Sequence, residues 1–150
     1  MPKAQKLSLR DQLAGDLRAL LINKRLTDTR VDISGKDLQL HRFMLLARWP
    51  KLLELCEGDK PLQFNVFLGE RGAELLDNVM QFLYTDQLSV FRKFDLETLF
   101  EVLEFAQATD FKQLVRACEY TISTRARVDT IAEIKARAAS APPLLAWYIH

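Results

Sequence analysis

Hydropathy in this sequence changes its period partway along the chain, and that change constrains the fold more than any single motif. Thr29-Arg30-Val31-Asp32-Ile33 alternates polar and apolar with period two. Ser34-Gly35-Lys36-Asp37 supplies turn chemistry, and Leu38-Gln39-Leu40-His41 alternates again. Two alternating runs across a short glycine-containing loop predict a β-hairpin. Leu62, Phe64, Val66 and Leu68 predict a third strand, and Gln87-Leu88-Ser89-Val90 a further short one. Leu7 and Leu9 alternate within residues 1–9, which read as a tail that forms a strand only if a partner edge exists.

Elsewhere the period is helical. Leu13, Leu17, Leu20 and Leu21 fall on one stripe of a helix over 10–23, which Gly15 weakens. Phe43 to Ala47 is a dense apolar run that predicts a short buried helix, and Pro50 suits the first turn of another over 50–56. A helix over 70–84 presents Leu76, Val79, Met80 and Leu83. Three more are expected at 96–108, 111–123 and 130–139, with Asp95, Asp110 and Asp129 as N-caps. Pro142-Pro143 opens a last one over 144–149. Strands early and helices late predict an α+β fold: a small mixed or antiparallel sheet of about three core strands, a flanking helical cluster and a C-terminal helix pair.

Composition removes whole classes of function. The 150 residues carry 21 basic and 20 acidic side chains, a formal charge of +1, which argues against a polyanion-binding module and so against nucleic acid as a partner. Two Cys and two His, one of them the final residue, leave no cluster for a metal. The five glycines, at 15, 35, 58, 69 and 72, lack the spacing of a phosphate loop. No nucleophile–base pairing is evident, so neither an enzyme nor a cofactor is expected. No apolar run approaches the ~20 residues that span a bilayer, and no membrane partner is expected. Cys56 and Cys118, two distant thiols in apolar settings, and the absence of a secretory signal point to the cytoplasm or nucleus. The near-zero total conceals segregation: residues 1–30 carry +4, residues 61–110 carry −6 and residues 111–150 carry +3.

Several stretches, in order, resemble the BTB/POZ family. Leu26-Thr27-Asp28-Thr29-Arg30-Val31 is similar to its opening segment, where an acidic residue precedes the first core strand. Leu38-Gln39-Leu40-His41-Arg42-Phe43-Met44-Leu45-Leu46-Ala47 resembles its most recognisable stretch, a strand ending in His, a basic residue and an apolar helix. Phe82-Leu83-Tyr84-Thr85-Asp86, Leu103 to Ala108 and Leu114 to Glu119 resemble the helices that follow. The likeness covers residues 10–124. Residues 125–150, through Val128 to Ile134, resemble the start of the 3-box or BACK extension of ubiquitin-ligase adaptors.

The resemblance implies a homodimer, with Leu13, Leu17, Leu20 and Leu21 packing on a second copy; packing within their own domain is the rival expectation. It implies a charged pocket at Asp28 and Arg42, either a structural ion pair or a partner site. It implies a substrate adaptor for a cullin-RING ubiquitin ligase, with Leu52, Leu55, Glu57, Tyr84, Ile131 and Ile134 near the cullin. The alternative is a dimerisation, scaffold or corepressor-binding module without cullin. The ligase substrate or corepressor protein is not specified by these residues. Two departures fall near the cullin side: the loop at 57–61 is short and the apolar-x-acidic Leu55-Cys56-Glu57 sits early, at the predicted helix rather than within the loop, and Trp49 stands where the family has a small polar residue. His41, without ligand companions, is expected to be a structural residue satisfied by local hydrogen bonds.

Overall fold

The structure is a computed structural model and describes residues 8–58 and 60–125. It divides into two compact units, one running to Val90 and the other starting at Phe91.

The first unit opens with α1, Leu9–Ile22, whose N-cap Ser8 accepts the Asp11 N–H at 3.1 Å. Strands β1, Thr29–Ile33, and β2, Lys36–Leu40, pair antiparallel from Thr29↔Leu40 to Ile33↔Lys36. The turn is shorter than expected: only Ser34 and Gly35 form it, at φ of 51° and 82°, the double-positive geometry that matches the twist of a two-residue hairpin. The Asp32 carboxylate accepts the Gly35 N–H, which closes the turn early and lets Lys36 and Asp37 join β2.

The predicted third strand does not form. Leu62 makes one parallel bridge to Ile33, and the chain then turns into a 3-10 helix, Asn65–Phe67. The hydroxyl of Ser34 explains the break. It donates to the Phe64 carbonyl at 2.8 Å and accepts the Phe64 N–H at 2.9 Å, taking both groups that a strand neighbour would use. The turn then buries Phe67, a residue off the alternating row, while Leu68 stays exposed.

Helices α2, Arg42–Arg48, and α3, Pro50–Leu55, meet at the fully buried Trp49, with Pro50 in the first turn of α3. Helix α2 is only half buried. Met44 and Leu45 point inward, whereas Phe43 and Leu46 are 53% and 56% exposed, contrary to the expectation of a wholly buried run. Helix α4, Gly69–Thr85, lies against both α1 and α2 and buries Leu76, Val79, Met80 and Leu83 as its stripe predicts. Gly72 permits its contact with the preceding turn, because a Cβ there would collide with the backbone carbon and oxygen of Phe67.

The second unit begins at the end of a 3-10 helix, Leu88–Phe91, which replaces the short strand expected there. Helix α5, Leu96–Ala108, starts at Asp95, whose carboxylate accepts the Thr98 N–H at 2.8 Å, as predicted. Asp110 does not cap the next helix. It sits at φ 53° just past α5, and the Phe111 N–H reaches back to the Ala106 carbonyl at 2.9 Å. Asp110 thus ends one helix in the left-handed conformation that C-termini favour, rather than starting another. Helix α6, Lys112–Thr124, packs on α5, with Leu114, Ala117, Cys118 and Ile122 buried. Arg125 closes the unit by donating to the carbonyls of Phe91, Arg92 and Phe94.

The helices expected over 130–139 and 144–149, with Ile131 and Ile134, lie outside the described residues. Among the described residues no helix is long and apolar enough to cross a membrane, and no group of His, Cys, Asp and Glu is placed to hold a metal ion.

Candidate functional site

In the first unit a groove of about 540 Å³ runs between the hairpin and the α2–α3 pair. Its hairpin wall is Asp28, Thr29 and Arg30, its base is formed by Arg42, Leu46, Pro50 and Leu53, and its far end by Glu54, Cys56, Glu57 and Gly58.

Asp28 and Arg42 meet there, but not as an ion pair. The Asp28 carboxylate accepts the backbone N–H of Arg42 at 2.7 Å and the Thr29 hydroxyl at 3.2 Å. The Arg42 N–H is the first of α2, so Asp28 works as an N-cap supplied from fourteen residues upstream. That bond, ahead of the Thr29 hydroxyl, holds the Asp28 carboxyl below the ordinary carboxylate range. Both residues are exposed, not partly buried, so each charged side chain keeps its hydration and the guanidinium is not required to pair inward.

His41 fixes this corner. It is buried, and its contacts are long-range rather than local. Its Nε2 lies 2.5 Å from the Arg25 carbonyl and its Nδ1 2.7 Å from the Tyr84 hydroxyl. A carbonyl only accepts, so Nε2 carries the proton and Nδ1 accepts from the Tyr84 O–H. The Tyr84 oxygen in turn accepts the His41 backbone N–H at 2.9 Å. Burial pushes the Tyr84 phenol up to about 12, with the His41 N–H opposing, so the hydroxyl keeps its proton. One phenol from α4 thereby satisfies two groups of the β2–α2 junction and sets where α2 begins.

The other expected contact residues divide by burial. Leu55 is the last residue of α3 and half-buried; Cys56 is the cap and Glu57 is exposed beyond it. The apolar-x-acidic triplet therefore spans the helix end, one residue earlier than the helix over 50–56 predicts, and Glu57 opens onto the groove. Leu52 and Tyr84 are 0% and 2% exposed; both are core residues that shape the surface without reaching it. On α1 only Ala14 is buried. Leu13 is 59% exposed, Leu17, Leu20 and Leu21 are half-exposed, and Leu9 and Ile22 add to the uncovered apolar area.

Sequence reasoning reaches Leu53, Glu54 and Cys56 only as part of the helix and loop at 50–61, and it misses Leu46 as a groove residue. The signal for Leu46 is the spacing 46, 50, 53 across Trp49-Pro50, which looks like a core run until the two helices turn at Trp49.

A small α+β frame with an uncovered apolar helix and a charged, shallow groove is the surface of a protein-interaction module. The comparison with known families agrees. The BTB/POZ domain model matches residues 17–126, and the chain belongs to this family. No curated protein matches the chain.

Proposed function

We propose that this chain is a homodimerising BTB adaptor that engages a cullin-type ubiquitin-ligase scaffold. Self-association uses α1, where Leu13, Leu17, Leu20 and Leu21 leave apolar area uncovered in the single chain. The reading of the second contact is carried by one observation: the end of α3, with Glu57, lines a groove beside exposed Leu46 and half-buried Leu53. A mainly polar groove that offers Leu46 and Leu53 beside carboxylates at its end suits the edge of a docked helix. Ile131 and Ile134 belong to this proposal as a further contact.

The test is co-purification of the full chain with a cullin N-terminal domain, with a Glu57→Lys variant as control. A complex that Glu57→Lys weakens supports the reading; no complex at tens of micromolar refutes it.

A second reading has its own support. Asp28 and Arg42 both line the groove and both are exposed, so a carboxylate and a guanidinium are available to one bound segment. On this reading the partner is a corepressor-type peptide. Arg42→Ala then abolishes its binding while the dimer persists, and binding that survives the substitution removes the pocket from consideration.

A further inference from the structure

The second unit separates its charges by helix. On α5, Glu97, Glu101 and Glu104 are exposed, and at about 100° per residue they fall within an arc of about 60°. On α6, Lys112, Arg116 and Tyr120 are exposed at i, i+4 and i+8 and form a second row, with Tyr120 45% exposed. The two helices pack against each other and Leu99, Leu103, Leu114 and Cys118 are buried, so the exposed charged rows lie on the faces this packing leaves over. One unit therefore carries an acidic row on one helix and a basic, aromatic-ended row on the next.

We propose that the α6 face of one chain docks the α5 face of a second copy, a head-to-tail contact distinct from the α1 dimer. The occupant follows from charge complementarity. Glu101 and Glu104 are three residues apart on α5, a rise of about 4.5 Å, and Lys112 and Arg116 four apart on α6, about 6 Å, a difference small against the reach of these long side chains, so two carboxylates can meet two cations. Tyr120 adds a ring whose apolar body packs against the partner helix while its hydroxyl stays wet. A contact between two different faces does not close on itself as a two-fold dimer does. Repeated, it extends dimers into larger assemblies. Exposed ion pairs are weak singly and screened over about 8–10 Å at moderate salt, so the assembly forms at high protein concentration and disperses in salt.

The test is light scattering on the full chain from low to high salt, with two charge-reversed variants, E101K/E104K and K112E/R116E. Wild-type mass rises above its high-salt plateau at low salt and high protein concentration. Each variant alone stays at the plateau, because both of its faces then carry one sign. Mixed in equal amounts, the two variants regain growth, since the reversed α5 of one matches the reversed α6 of the other. The plateau itself reports the α1 dimer, so failure of that reading is seen separately. A wild-type mass independent of salt overturns the proposal, as does a mixture of two folded variants that does not grow. The wild-type salt series needs no substitution and can overturn the proposal by itself, even if R116E disturbs the fold.

Discussion

Three side chains show how local chemistry governs this domain. Tyr84 satisfies both the ring and the backbone of His41 from within the core. Tyr84→Phe leaves two buried polar groups unmatched, and a loss of about 1–3 kcal/mol in urea unfolding is expected. Glu119 is a buried carboxylate on α6, 2% exposed, with Oε2 unbonded among the described residues. Burial raises its carboxyl above the ordinary value, against the pull of Arg116. The folded state therefore holds the proton more tightly than the unfolded state. Its penalty is absent below the ordinary glutamate range and grows as pH rises towards the folded value, above which it is complete. Glu119→Gln should raise the melting temperature at neutral pH and flatten that part of the pH profile; an unchanged profile would show that the carboxylate is solvated. Asp28 has the opposite sign. Its lowered value contributes stability above the ordinary aspartate range, lost as pH falls through the folded value, and Asp28→Asn should remove that acid-side slope.

At the scale of elements, helix ends and close approaches decide more than stripes do. The α4 stripe and the Asp95 cap are legible in the sequence because both are local: a 3.6-residue period and a single side-chain-to-backbone bond. The fate of the third strand is not, because it depends on Ser34, thirty residues away, which occupies both backbone groups of Phe64. Asp110 is ambiguous for a related reason. An aspartate before a helical run looks the same whether it caps that run or ends the previous one, and only the backbone angle separates the cases. Gly72→Ala places a methyl on the Phe67 backbone, which cannot rotate away. A destabilisation of about 1–3 kcal/mol or more is expected in thermal melts. On the proposed self-association through α1, Leu13→Glu should shift the sedimenting species from dimer to monomer with the helical signal unchanged, since Leu13 is largely exposed in the single chain.

At the scale of the whole molecule, membership of the BTB/POZ family and the ordered segments that resemble it agree over most of residues 17–126. What the structure adds to the charge count is placement. The acidic excess of residues 61–110 includes the exposed row on α5, and part of the basic excess of residues 111–150 is the row on α6. Patches of opposite sign on one near-neutral chain suit the complementary charge of protein partners.

The sequence by itself determined the hairpin, the long helices, the lack of metal-binding and nucleotide-binding signatures, and the likeness to one family. All of these depend on periodicity, composition or the order of short segments, which survive being read along a line. Tertiary structure alone decided that Asp28 caps α2 through a backbone amide, that Tyr84 and Leu52 lie inside while Glu57 and Leu46 face a groove, and that the sheet stops at two strands. Those outcomes rest on contacts across tens of residues, where one hydroxyl or one buried ring takes a hydrogen bond that local pattern assigns elsewhere.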